Sequence, residues 1–250
     1  MSRCLHILIS AACLSGATLG SAAEAQPARN VVLVHGAFAD GSGWKGVYDR
    51  LTSKGYRVTI VQQPETGLDA DVEATRRAVA MQDGPVVLVG HSWGGQVISE
   101  AGTDPKVAAL VFVAAAVPEV GETVKSLNER MPPRELAVRN VGGYLMLDPA
   151  HYHAQFAADL PKAQADFMAH SQVLIAAKAF EEPAKAAAWR TKPSYGIVAG
   201  SDRTLRPELE RWMYARAKAT VTEVPGSSHA VYLSHPDVVA AVIEKAAGRR

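Results

Sequence analysis

The chain has little cysteine, no excess charge of either sign and no apolar run long enough to cross a bilayer, and each shortage removes a class of function. Its two cysteines, Cys4 and Cys13, both fall in the first 25 residues. A chain that loses that stretch can form no disulfide in any compartment and has no thiol nucleophile or thiolate ligand. Charge is balanced, with 26 Lys and Arg against 25 Asp and Glu and a net charge of +1. The two signs are interspersed, which leaves no basic face for nucleic acid and no polybasic patch for a membrane. No phosphate loop is present either, because Gly90 to Gly95 lacks the Lys-Ser/Thr pair that holds a nucleotide. His151 and His153 are a tempting metal pair, but Asp148-Pro149 opens a helix just before them, and two residues apart on a helix places side chains on opposite faces. No metal, no cofactor and no nucleic-acid partner is expected; the expected partner is a neutral or modestly charged small molecule.

The first 25 residues are a different kind of sequence. Arg3 precedes a mostly apolar run from Leu5 through Leu19, and Ala23-Glu24-Ala25 stands before Gln26. That order is a secretory leader cut after Ala25, which predicts a secreted or periplasmic protein. The run is too short and too rich in Ala, Ser and Gly for a stable span, so no membrane insertion of the mature chain is expected. At 250 residues and 48% hydrophobic content the chain is long and apolar enough for one domain with a sizeable core, spanning residues 26–250.

Along that domain, short continuous apolar runs alternate with helical patterns. Val31 to Val34, Arg57 to Val61, Val86 to Val89, Val107 to Ala116, Tyr195 to Ala199 and Val221 to Val224 are predicted strands. Between them, Trp44, Val47, Tyr48 and Leu51 recur at helical spacing before Gly55. Asp69 is positioned to cap a helix with Asp71 and Glu73 in its first turn and Val72, Thr75 and Val79 inside. Later helices start at Pro207, burying Leu209, Trp212 and Met213, and after His235-Pro236. Strands alternating with helices predict an α/β class protein with a mainly parallel sheet of about six strands and helices on both faces. From about 119 to 192 the alternation fails; alanine is frequent and Pro132-Pro133 interrupts. This segment is expected to be a helical cap over the strand ends, where open α/β sheets bind ligands.

The strongest local signal is Val86-Val87-Leu88-Val89-Gly90-His91-Ser92-Trp93-Gly94-Gly95. A buried strand runs into Gly-x-Ser-x-Gly and a helix with Trp93, Val97, Ile98 and Ala101 on one side begins at once. That is a nucleophile elbow, with Ser92 held in a strained turn flanked by residues without bulk. A serine hydroxyl is a poor nucleophile at neutral pH and needs an imidazole base oriented by a carboxylate. With the chain order Ser, acid, His, the histidine in the loop after the last strand is His229, with His235 as the weaker candidate. The acid after the fifth strand is Asp202, with Glu119 and Glu122 after the fourth as alternatives. A tetrahedral oxyanion needs two N–H donors. Trp93 supplies one, and the His35-Gly36-Ala37 turn the other through Ala37, or through Phe38, which also stands where a substrate would bind.

Together, Val31 to Phe38, Gly90 to Gly95, Ser201-Asp202 and Ser228-His229 resemble the α/β-hydrolase family. The resemblance runs from Val31 to the C-terminus and is closest to small serine esterases similar to bacterial carboxylesterases and to the plant methylesterase and hydroxynitrile lyase group. It implies a carboxylic ester hydrolase acting on a small-molecule ester through Ser92, Asp202 and His229 without a cofactor. The same scaffold also implies alternatives: cyanohydrin cleavage, cofactor-free halide peroxidation, amide or lactone opening, or a binding protein that has lost the chemistry. Lyases of that group typically carry threonine where this chain has Gly36 and lysine where it has Ala230, and both departures favour ester hydrolysis.

Overall fold

The computed structural model describes Met1, residues 28–133 and residues 136–248. Apart from Met1, the predicted leader and both cysteines lie outside the described residues. Strand β1 (Asn30–Val34) is followed by helix α1 (Lys45–Ser53), and β2 (Arg57–Val61) by α2 (Leu68–Ala80). Next come β3 (Val86–His91), α3 (Gly94–Ala101) and β4 (Val107–Val113). The chain then leaves the sheet through α4 (Val124–Arg130), β5 (Val138–Val141), β6 (Tyr144–Leu147), α5 (Pro149–Phe156), α6 (Lys162–His170) and β7 (Ile175–Ala176). It returns with β8 (Ser194–Ala199), α7 (Pro207–Arg216), β9 (Thr220–Val224), α8 (Val231–Ser234) and α9 (Pro236–Ala246).

Six strands form one sheet in the order β2-β1-β3-β4-β8-β9, every pair parallel. The central strands β1 and β3 are buried at every position because both faces are covered, and their period of two divides the core. Val32, Val34, Leu88, Leu110, Phe112 and Val198 face one side, with Val72, Val79, Val97, Leu209 and Met213 from α2, α3 and α7. Val31, Leu33, Val87, Val89, Val111 and Ile197 face the other, with Val47 and Leu51 of α1 and Val239 and Ile243 of α9. Each such aliphatic side chain contributes about 1.5–3 kcal/mol when fully buried.

Strand order reverses between β1 and β3: the chain runs from β1 outward to β2, then crosses back to β3 on the other side of β1. Helix α1 joins one core and α3 the other, so the loops after β1 and β3 part to opposite faces and leave a crevice at their carboxyl ends. The pairing of Val34 with Gly90 sets His35-Gly36 beside His91-Ser92 at that crevice.

Two expectations need correction. The cap is not simply helical: β5, β6 and β7 form a separate three-stranded antiparallel sheet beside its helices. The β5–β6 hairpin turns at Gly142-Gly143, both with positive φ (60° and 88°), as a two-residue turn between right-twisted strands requires. Helix α2 is not capped by Asp69. Gly67 is its N-cap, with no side-chain cap bond, and the Glu182 carboxylate, from the cap, accepts the Leu68 N–H of the first turn. Asp69 instead pairs with Lys185.

Candidate active site

Ser92 has φ of 52°, a left-handed conformation that a residue with a side chain adopts at a cost of about 1–3 kcal/mol. The strain is held by close packing of backbone on backbone. A Cβ at Gly90 would lie 2.4 Å from the Gly94 carbonyl oxygen, closer than any real contact, so the elbow closes only with glycine there. The loop after β1 approaches just as tightly, and a Cβ at Gly36 would lie 2.6 Å from the Ser92 Cβ.

The loops after β8 and β9 bring Asp202 to His229: Nδ1 of the imidazole and Oδ2 of the carboxylate are 2.5 Å apart, and both side chains are fully buried. The other carboxylate oxygen of Asp202 accepts the Thr204 and Leu205 N–H groups at 2.7 and 2.9 Å, which fixes the plane of the acid. Nε2 of His229 is buried without a partner. Its ring packs edge-on against Phe156, centroids 4.9 Å apart, and tilted against His91 at 4.6 Å. His91 is held by its own Nε2–H, donated to the His229 carbonyl at 3.0 Å. Burial first, then His229 beside it, keeps the His91 imidazole well below the usual histidine range, so it stands there neutral.

The alternatives named from the sequence are occupied elsewhere. Glu119 is bound by Arg190 and Glu122 by Arg216. His235 accepts from, or donates to, the neighbouring Ser234 hydroxyl at 2.9 Å on the partly exposed side of α8. His153 Nε2 bonds the Leu160 carbonyl at 3.0 Å while His151 is exposed, and among the described residues no group of three or more His, Cys, Asp or Glu could hold a metal.

Backbone N–H groups of Ala37, Phe38 and Trp93 have no protein acceptor among the described residues. They surround the serine and are available to an oxyanion. Phe38, at φ 64°, is pinned from outside by the Tyr152 hydroxyl, which donates to its carbonyl at 2.9 Å. Beneath these donors runs a buried polar network. Asp71 accepts the Trp93 Nε1–H and the Glu65 N–H, both at 2.8 Å. Burial pushes the Asp71 carboxyl up to about 6, against the pull of those two hydrogen bonds. The Glu65 carboxyl lies 3.5 Å from Nδ1 of His35, whose Nε2 accepts the Gln63 N–H at 3.1 Å. Asp71 is therefore not a surface residue answering the helix dipole. A short Asp in a first helical turn carries no mark in the sequence that separates the two roles.

The crevice opens into a cavity of about 310 Å³. Ser92, Ala37 and Trp93 form its floor; Phe38, Phe180 and Leu145 are among its apolar walls. Asn128 and Thr204 are its polar residues besides Ser92, and among the described residues no charged side chain lines it. The sequence did not point to Asn128, Leu145 or Phe180, because cap residues meet the crevice only through tertiary packing.

Known proteins resemble this chain over most of their length. An alpha/beta hydrolase of Aspergillus novofumigatus is 28% identical over 243 residues, which cover 87% of this chain and 96% of that one. The esterase PIR7B of Oryza sativa subsp. japonica is 28% identical over 261 residues, covering 88% and 96%. A crystallised pyrethroid hydrolase from Sphingobium faniae has the same fold, with a TM-score of 0.73 over 88% of this chain and 98% of its own at 23% identity. The alpha/beta hydrolase family profile matches residues 31–242, from β1 into α9, and the chain belongs to that family.

Proposed function

We propose that the protein is a serine hydrolase that cleaves uncharged, largely apolar carboxylic esters. The observation that carries this reading is the convergence of a left-handed Ser92, free N–H groups at Ala37 and Trp93, and an Asp202–His229 pair at the end of one sheet. Ser92 Oγ attacks the ester carbonyl while Nε2 of His229 takes its proton. Asp202 holds the other ring nitrogen and stabilises the imidazolium that forms. The carbonyl oxygen, now negative, is received by the Trp93 amide and by that of Ala37 or Phe38. Collapse expels the alcohol, which leaves with the proton from His229, and water then repeats the sequence on the acyl-Ser92.

Substrate class follows from the wall. A cavity whose described lining residues carry no charge offers nothing to compensate a buried carboxylate or ammonium, whereas it gains from each apolar group it covers. Esterase PIR7B among the sequence relatives supports ester chemistry, and a pyrethroid hydrolase shares the fold. Cyanohydrin cleavage would call for a cation beside the histidine to receive departing cyanide, and the loop from Pro225 to Val231 contains no Lys or Arg. The leader-like first 25 residues support export and a mature N-terminus at Gln26, which N-terminal sequencing of exported protein checks.

The test is a fluorophosphonate probe together with p-nitrophenyl esters of rising acyl length. Labelling should map to Ser92 and turnover of the acetate ester should be measurable, with no cyanide released from mandelonitrile above background. Cyanide release lost in Ser92→Ala, with ester turnover absent, would reverse the assignment.

A further inference from the structure

Helix α7 buries Leu209, Glu210, Met213 and Tyr214 on one stripe, and Glu210 is the member that is charged in water. Its side chain is wholly enclosed. Oε2 accepts the Ala199 N–H at 3.1 Å. Oε1 receives no N–H or hydroxyl donor, and the carboxyl is in hydrogen-bonding contact with that of Asp202. Ala199 ties the two acids together, since its carbonyl accepts the Asp202 N–H at 3.2 Å.

The cations around the pair face the surface: Arg203 is exposed, Arg206 is paired with Glu208, and the pull of Arg211 is the weakest of the influences on the Glu210 carboxyl. Arg211, next on the helix, is committed to Glu223 at the surface. Tyr214 is a buried phenol whose oxygen accepts the Ala115 N–H at 2.8 Å. His229 already spends Nδ1 on Asp202, and behind it His91 is neutral. Two like charges in contact at a buried site cannot both persist, so one acid keeps a proton and shares it with the other. Donors decide which. Asp202 receives three, from Thr204 N–H, Leu205 N–H and His229, and each stabilises its ionised form. Glu210 receives one, so the proton belongs on Oε1, the atom otherwise without a partner.

We propose that Glu210 is a positioning residue of the triad: a neutral carboxylic acid that donates its Oε1–H to Asp202 and so fixes the carboxylate that orients His229. Burial first, then the Asp202 charge, pushes the Glu210 carboxyl well above the usual carboxylate range, in agreement. A further donor on Asp202 also weakens it as a partner for the imidazolium. Removing that donor should therefore shift the acid limb of activity toward higher pH.

The inference rests on the triad reading, and its test separates the two. kcat/KM for p-nitrophenyl acetate is followed against pH in the wild type, Glu210→Gln and Glu210→Leu, and infrared spectra of the wild type and Glu210→Gln are compared at neutral pH. Gln keeps a neutral donor toward Asp202, so the acid limb should move by less than about 0.3 pH unit, with kcat reduced no more than severalfold. Leu has no donor; the limb should move up by roughly half a unit or more and kcat fall about tenfold. The wild type should show a protonated-carboxyl C=O band that Glu210→Gln lacks. An acid limb that falls by about a unit in Glu210→Gln would mean that a negative charge had been removed, and overturns the proposal. So does absence of the band, which decides the matter even if Glu210→Leu does not fold. Ester turnover that survives Ser92→Ala would defeat the triad reading instead, leaving the band in place.

Discussion

The two parts of the cap meet the crevice in different ways. Helix α5 and the turn after it are hydrogen-bonded to three of the loops that carry the site. The Tyr152 hydroxyl donates to Phe38, the Gln155 carbonyl accepts the Thr204 hydroxyl at 2.9 Å, and the Phe156 carbonyl accepts the Ala230 N–H at 3.0 Å. Asp159 then takes the Ser228 hydroxyl. Residues 124–147, which hold α4, β5 and β6, make no hydrogen bond to those loops among the described residues. They contribute Val124, Leu136, Val138 and Leu145 to the cavity wall, and β5 is exposed along its length. On the mechanism proposed above, one half of the cap fixes where reacting groups stand and the other decides what fits over them. Changes in the first should act on kcat, and changes in the second on KM and on choice of substrate.

The scale for that comparison is set below the cap. Asp202→Asn should lower kcat on the order of 10³ to 10⁴, since the amide no longer enforces the tautomer of His229. Ser92→Ala should cost at least as much while leaving thermal unfolding nearly unaltered. If Asp202→Asn keeps most of its activity, the acid lies elsewhere and the fixed half of the cap is bracing the wrong loop.

Phe156→Ala probes that bracing most directly. The ring is fully buried, stacks on Tyr152 at 4.8 Å and stands edge-on to His229. Its removal should cost about 3–5 kcal/mol of stability by leaving a cavity. At a temperature where the variant is still folded, kcat should fall by about 10- to 100-fold from loosening of the imidazole, with KM little altered. Chemical denaturation and steady-state kinetics read the two effects separately, and a rise in KM at constant kcat would dissolve the distinction between the halves.

The cavity-lining half is anchored at a titratable point. Its third strand, β7, donates the Ala176 N–H to the Glu65 carbonyl at 2.8 Å, and the Glu65 N–H in turn rests on Asp71. Because folding raises the Asp71 carboxyl from 3.8 to about 6, the stability linked to it is fully present below pH 3.8 and is lost as pH rises through about 6. The advantage of the wild type over Asp71→Asn should therefore shrink between pH 4 and pH 7, by at most roughly 3 kcal/mol. Urea unfolding of both proteins across that window measures it; a gap that widens with pH would place a charged Asp71 in the fold.

How much of this was legible depended on whether a residue's role was set by its neighbours in sequence or by a distant element. Ser92, Asp202 and His229 stand at strand ends, and a parallel sheet carries every such end to one edge, so chain order alone was enough to propose them as one site. Glu119 and Glu122 stand at a strand end too. What removes them is Arg190 and Arg216, which lie about 70 and 94 residues away and leave no local trace. The β5–β6 hairpin did have a local mark, Gly142-Gly143 before Tyr144-Leu145-Met146-Leu147, obscured because β5 is exposed and carries no apolar alternation. Glu210 also had one. It falls beside Leu209 on the buried stripe of α7, where the helical period places a residue indoors whatever its charge.

Leu145→Ala should produce a moderate effect on the cavity-lining side. Leu145 borders the cavity above Ser92 and also the neighbouring groove with Pro132, Ala177 and Phe180, so it stands where a long acyl or alcohol chain would pass out of the first into the second. Truncation removes apolar contact from the far part of a substrate and none from its carbonyl. KM for a long-chain p-nitrophenyl ester should rise about tenfold, which corresponds to roughly 1.4 kcal/mol, while KM for the acetate changes less than about twofold.

The smallest effect expected falls on the other half. Tyr152→Phe deletes one hydroxyl, the donor to the Phe38 carbonyl, and leaves the ring packed on Phe156. That bond is buried and neutral, so its loss should cost about 1 kcal/mol of stability, with some of the penalty coming from the carbonyl left without a donor. Phe38 holds a left-handed backbone beside the Ala37 amide proposed to receive the oxyanion, and its carbonyl is the point at which α5 restrains that conformation. With the restraint gone, the loop should place its N–H groups less well for the oxyanion but no differently for the ester in its ground state. kcat should therefore fall about three- to fivefold, by the same factor for acetate and long-chain esters, with KM unaltered. A loss that grows with chain length would instead put Tyr152 among the residues that choose the substrate, and the division of the cap into a bracing half and a selecting half would fail at its best-bonded contact.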